Sequence, residues 1–239
     1  SDTHIAEQII CAVDLGINTD AVCSIMKADG TILARKFIDF TSDKDRMIHA
    51  MNRTRRKQSK YGPKSTRGLW AYVKRLNEDR AKKISAAIVE FASQHSVDTI
   101  VMEHLDFKGC KKRGSKAQRL SMWNHGIIRE KVEQKAHLLG IRIATICAWK
   151  TSALAFDGSG SVTRDDNNHA LATFTTGKQY NCDLSASYNI GARYFIRELL
   201  KSLPATEESR VKAKVPDAGR RTSCTLSTLR ALVKELSAA

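Results

Sequence analysis

Three observations predict an α/β fold built on a mixed sheet. Short apolar runs rich in β-branched residues fall at residues 8–13, 97–102 and 141–147, which is how buried strands read. Asp29-Gly30 joins two further strand-like runs near the start of the chain, a strong hairpin signal. Longer segments with helical spacing separate the later runs, so antiparallel strands give way to βα crossovers.

Residues 8–13 form the first strand, and Asp14-Leu15-Gly16-Ile17-Asn18 turns the chain. Residues 21–26 and 31–37 supply the second and third strands. A long helical region follows. Met47, Ile48 and Met51 lead into a basic segment, and Leu69, Val73, Leu76, Ile84, Ile88 and Phe91 then recur at roughly helical spacing. Residues 97–102 are the fourth strand, with Glu103 at its end. After a basic loop, Leu120, Trp123, Ile127, Val132, Ala136 and Leu139 trace one helix face, which Gly140 ends.

Residues 141–147 are the fifth strand. Residues 151–181 are polar, rich in Gly, Asn and Thr, and lack a clear period. Ala186, Ile190, Tyr194 and Leu199 mark a closing helix. Residues 204–221 read as a charged linker, and residues 226–236 as a terminal helix capped by Thr222 or Ser223. The order βββ-α-β-α-β-α is that of the RNase H-like fold. It divides the chain into a core over 1–150, an insert over 151–181, a helix over 182–200, and a linker with a terminal helix over 201–239.

Composition narrows the function. The chain has 239 residues, 42% of them hydrophobic, enough for one main core. Forty Lys and Arg oppose 25 Asp and Glu, a formal net charge of +15. Such an excess suits a polyanion, because basic side chains release counterions condensed on phosphates. No apolar run approaches the length of a membrane span, and the first residues carry no signal-peptide pattern. Of the six cysteines, no two have CxxC spacing, so they read as free thiols of a reducing cytoplasm.

Three acids sit where strands end or a helix begins: Asp14, Glu103 and Asp183. In the predicted sheet they converge on one edge. Hydrolysis of a phosphodiester in this way uses two divalent ions about 4 Å apart, held by hard carboxylate oxygens. Singly, Asp14 reads as a turn residue and Asp183 as a helix cap. Glu103 is less easily explained, since burying an acid without a partner is unfavourable. The set, in this strand order and with this charge, points to Asp14, Glu103 and Asp183 as catalytic metal ligands for Mg2+ or Mn2+.

These residues also carry a family resemblance. Val13-Asp14-Leu15-Gly16-Ile17 resembles the first RuvC motif of the transposon-encoded RNA-guided endonucleases (the TnpB or OrfB family) and of type V CRISPR effectors. Ile100-Val101-Met102-Glu103-His104-Leu105 resembles the second, and residues 183–190 (Asp-Leu-Ser-Ala-Ser-Tyr-Asn-Ile) the third, with Arg193 in the place of an arginine often found there. The resemblance covers residues 8–200 and implies a RuvC-type RNA-guided DNA endonuclease, with DNA and guide RNA as partners, in the prokaryotic cytoplasm at the nucleoid. It also implies a zinc ribbon within the insert. Thr151-Ser152 and Gly177 match its frame, but the ligand positions read Ala155, Gly158, Thr173 and Thr176. None can supply a thiolate, and the spacing of Cys147, His169 and Cys182 matches no ordinary site, so zinc is not expected and the insert reads as a metal-free loop near the substrate. Family members carry a guide-gripping part before the first RuvC strand, which here begins near residue 8. That part is therefore expected on another segment or polypeptide, and full guide specificity is not expected of this chain alone.

Two basic segments are candidate nucleic-acid contacts: Arg53, Arg55, Arg56, Lys57 and Lys60, then Lys108, Lys111, Lys112, Arg113, Lys116 and Arg119. Arg193 joins them by resemblance. Tyr61 and Trp123 lie close by for stacking, although Trp123 falls on the apolar face of its helix. Three alternatives stand beside this reading. One is a nuclease-inactive RNA-guided binding module. Another is an actin-like or sugar-kinase ATPase, whose first phosphate loop is also Asp-x-Gly; the chain lacks a later Gly-rich adenosine loop. The last is a RuvC-type enzyme acting without RNA, such as a junction resolvase or ribonuclease H.

Overall fold

The computed structural model describes residues 4–104, 124–168, 170–220 and 222–238. β1 (Ile9–Asp14), β2 (Ala21–Lys27) and β3 (Ile32–Ile38) form an antiparallel meander, with Gly30 in the left-handed region at the tight turn. α1 (Thr41–Tyr61) and α2 (Arg67–Gln94) follow, then β4 (Thr99–His104). Further along the chain come α3 (His125–Leu138) and β5 (Arg142–Cys147). The sheet order is β3-β2-β1-β4-β5, with β1, β4 and β5 parallel. This is the RNase H-like arrangement that the sequence predicts.

Two apolar layers cover the sheet. On one face, Ile10, Ala12 and Val101 pack against α4 (Cys182–Ser202), whose Ile190 and Phe195 are fully buried. Each such side chain stabilises the fold by about 1.5–3 kcal/mol. Gly191 lets α4 lie close to the sheet, because a Cβ there would meet Met26 Cε at 2.9 Å and Ala12 Cβ at 3.2 Å. On the other face, Cys11, Val13 and Cys23 pack against Ile84 and Ile88 of α2 and Val132 of α3.

The structure differs from the sequence reading at four places. The single helical region between β3 and β4 is two helices, broken where Gly62 takes φ 82° before Pro63. The charged linker holds a helix, α5 (Ala205–Lys214), whose Val211 is buried against the α4 layer. The terminal helix, α6 (Leu226–Ser237), is capped by Thr225 in a capping box with Thr228, not by Thr222 or Ser223. The insert contains a small sheet of β6 (Thr163–Arg164), β7 (Leu171–Thr173) and β8 (Gln179–Asn181). Ala155, Ala172, Phe174 and Cys182 form its own buried cluster.

α1 starts at the sheet edge where β1 ends. There Asp20 accepts from the Phe40 backbone N–H at 2.9 Å, and Lys44 donates to the Asn18 carbonyl. α2 returns to the same edge, where buried Arg80 pairs with Asp20. Its second half then lines the core through Ile84, Ile88 and Phe91. Residues 41–79 therefore form a helical hairpin that projects beyond this edge. In α1 only Met47 and Thr54 are buried.

Candidate functional site

Strand alternation decides where the first two acids point. In β1 the residues facing α4 are Ile10 and Ala12, and the next in phase is Asp14; in β4, Val101 is followed in phase by Glu103. The parallel register pairs Val13 with Met102, so Asp14 and Glu103 stand side by side at the end of the sheet on one face. α4 covers that face and begins beside them, with Asp183 in its first turn after the cap Asn181, whose side chain accepts from the Leu184 N–H at 2.8 Å. The three acids expected from the sequence are thus brought together.

Asp14 and Glu103 are each only 9% exposed. Burial, then the charges of Glu103 and Asp183, raises the Asp14 carboxyl well above the ordinary range. Burial also raises Glu103, opposed by a hydrogen bond from the Thr151 hydroxyl and by the charge of Arg193. Asp183 is raised by burial as well, opposed by Arg164 and by a hydrogen bond from Thr19. Among the described residues no three His, Cys, Asp or Glu side chains form a closed metal-ligand cluster. The acids stand within electrostatic reach of one another without closing a cage. Their chemistry fits a divalent cation: three hard oxygen donors crowd a desolvated edge, and each is harder to ionise than an isolated acid.

Sequence reasoning misses three members of this network. Arg164, exposed on β6, faces both Asp14 and Asp183 and favours their ionised forms. Nothing marks it in the sequence, because only the folding of the insert brings it to the acids. Thr151 reads in the sequence solely as part of a motif frame, yet it holds Glu103. Thr19, in the loop after β1, holds Asp183.

Arg193 corrects an expectation. The resemblance places it on nucleic acid, but it is buried, at 4% exposure. Its guanidinium donates to the carbonyls of Cys147 and Trp149 at 2.8 Å each, Thr222 at 3.0 Å and Cys224 at 3.2 Å. It therefore ties the end of β5 and the start of α6 to α4, and is not presented to a phosphate.

The insert carries the four positions expected to lack zinc ligands. Ala155 and Gly158 close one tight turn, with the Gly158 N–H on the Ala155 carbonyl at 3.1 Å. Thr173 and Thr176 flank a second, closed by Gly177 N–H on the Phe174 carbonyl at 2.9 Å. The Thr175 hydroxyl donates to the Ser159 carbonyl at 2.6 Å and joins the two turns. Phe156 packs edge-on against Phe174, Tyr180 and Tyr188, linking the insert to α4. His169 lies outside the described residues, as do Trp123 and the basic group Lys108, Lys111, Lys112, Arg113, Lys116 and Arg119.

Arg53, Arg55, Arg56, Lys57 and Lys60 are all exposed on the outer half of α1, and among the described residues none of them forms an ion pair. From Arg46 to Asn77 the chain holds ten Lys and Arg and no acid.

No family model matches the chain, and no curated protein matches it. Solved structures do. The Cas12f1-sgRNA-target DNA complex aligns with a TM-score of 0.57 at 20% identity, over 76% of this chain and 49% of that one. The chain shares its fold. A CRISPR-Cas12f ternary complex aligns at 0.54 and 17% identity, over 80% and 40%. The AacC2c1-sgRNA binary complex aligns at 0.59 and 11%, over 79% and 39%. The chain therefore spans less than half the length of these structures. No helix among the described residues is long and apolar enough to cross a membrane.

Proposed function

We propose that this chain is the catalytic RuvC-type half of an RNA-guided DNA endonuclease. The observation that carries the reading is the convergence of Asp14, Glu103 and Asp183 on one sheet edge, where burial raises all three. The net charge of +15 and the fold shared with complexes of guide RNA and target DNA support it.

Asp14, Glu103 and Asp183 would hold two Mg2+ or Mn2+ ions. Such ions, when bound, activate water and stabilise the leaving oxygen of a phosphodiester. The chain's own groups do the rest. Thr151 fixes the Glu103 carboxylate and Thr19 that of Asp183. Arg164 offers an exposed guanidinium at the same edge, suited to gripping the scissile phosphate. Arg193 holds the end of β5 in place beneath Thr151. The basic face of α1 follows the phosphate backbone of DNA or heteroduplex. The insert over 151–181 contacts target nucleic acid without zinc, and the guide-gripping function resides in another segment or polypeptide. The setting is the prokaryotic cytoplasm, at the nucleoid.

The test is DNA cleavage by the chain assembled with guide RNA and the guide-gripping part. Cleavage should require magnesium and vanish in Asp14→Ala. Guided DNA binding without magnesium-dependent cleavage would instead support the nuclease-inactive module. One equivalent of zinc bound to the insert in elemental analysis would contradict the metal-free reading.

A further inference from the structure

The tip of the helical hairpin carries a cleft beside the basic face of α1. Arg55, Gln58 and Ser59 of α1, Pro63 of the turn and Trp70 of α2 line an open cavity of about 500 Å³. The indole N–H of Trp70 donates to the Gln58 side-chain carbonyl at 2.6 Å, which fixes the ring and satisfies its polar edge. Trp70 is half-buried, and with its polar edge satisfied it contributes an apolar ring to the cleft lining. Arg55 is exposed, and the cleft lies within the acid-free stretch from Arg46 to Asn77. An aromatic face beside unpaired cations suits a planar ring that carries a phosphate.

We propose that this cleft binds an unpaired nucleotide of a single strand, its base stacked on Trp70 and its phosphate on Arg55. A paired base keeps its faces against its neighbours, so an aromatic side chain selects nucleotides that are out of a helix. The position fits a strand that also reaches the carboxylates. α2 is continuous from Trp70 to Arg80, and Arg80 sits at the catalytic edge on Asp20. Ten residues of helix place Trp70 about 15 Å outward from that edge. The proposal extends the nuclease reading to a second contact on the same strand, but it requires only binding.

The experiment uses the full chain in chelator, without divalent ions, so its outcome is independent of cleavage. Fluorescence anisotropy compares short oligothymidylate, oligouridylate and an abasic oligomer of equal length and charge. Wild type should bind a base-bearing oligomer about tenfold or more tighter than the abasic one. Trp70→Leu should lose that difference, and Trp70→Phe should keep most of it. Arg55→Glu should weaken both kinds of oligomer alike. Preference for oligothymidylate or oligouridylate assigns the strand to DNA or to RNA. Equal binding of base-bearing and abasic oligomers by wild type would overturn the proposal. So would a difference that survives in a folded Trp70→Leu variant.

Discussion

The two ends of α2 obey different rules. From Arg80 inward the helix is fixed by the core: Ala81, Ile84, Ile88, Phe91 and Ala92 are buried against the sheet, and Arg80 closes a buried pair with Asp20. From Arg67 to Asn77 only Val73 and Asn77 are buried, and the outer half of α1 exposes Arg53, Arg55, Arg56, Lys57 and Lys60, which form no ion pair among the described residues. The inner part is locked against the sheet that carries the acids. The outer part positions charge and one indole with little packing behind them. A site for chemistry needs the first kind of support. A surface that follows a phosphate backbone needs only the second.

The largest effect expected from breaking this contrast is at the acids. Asp14→Asn or Asp183→Asn should reduce cleavage on the order of 10³-fold or more, since these groups act as a unit, while the outer-hairpin variant Lys74→Ala should leave single-turnover cleavage of bound DNA unchanged. Next comes stability at the boundary. Arg80→Ala leaves Asp20 buried without its partner and should destabilise by about 3–5 kcal/mol. Lys74→Ala, a few residues outward, should change stability by less than about 0.5 kcal/mol, because its pair with Glu78 is exposed. Denaturant unfolding of both variants checks this, and similar destabilisation of the two would abolish the contrast. Gly191→Val should destabilise by about 1–3 kcal/mol through overpacking against Met26. It should also lower cleavage by lifting Asp183 from the edge. The smallest stability effect is expected from Arg55→Glu with Lys57→Glu. The fold should be untouched, while the slope of log affinity for duplex DNA against log salt should fall by about 0.9 for each phosphate that is no longer neutralised.

The sheet and two of its acids are legible in the sequence because β1 and β4 are short apolar runs with a candidate site acid at or next to their ends, Asp14 and Glu103. Val101-Met102-Glu103 fixes both a strand and the face its acid takes. Features made by tertiary contact are not legible. The helical break at Gly62-Pro63 is masked by periodic apolar residues on both sides. α5 has a single buried apolar residue, Val211, too few to show a period. Arg193 reads as a surface cation because nothing local reveals the carbonyls of Cys147, Trp149, Thr222 and Cys224 that enclose it. Arg164 is placed by the small sheet of the insert, which has strands of two or three residues and so carries almost no pattern of its own.

Three carboxyls raised by burial at one edge, Asp14 also by the charges of the other two, have a thermodynamic signature. A carboxyl raised on folding binds more protons in the folded than in the unfolded state at pH values above its unfolded pKa. Its contribution therefore weakens the fold as pH rises from the unfolded pKa towards the raised folded pKa, and the penalty is full only above the latter. The most direct measurement is thermal unfolding of wild type and Asp14→Asn at neutral pH, with and without magnesium. Without the ion, Asp14→Asn should be the more stable, by about 1 kcal/mol or roughly 2–4 °C. With magnesium at saturating concentration, wild type should gain about 2–3 kcal/mol and Asp14→Asn much less. A less stable Asp14→Asn without the ion, or equal stabilisation of both proteins by magnesium, would contradict a metal-binding triad at this edge.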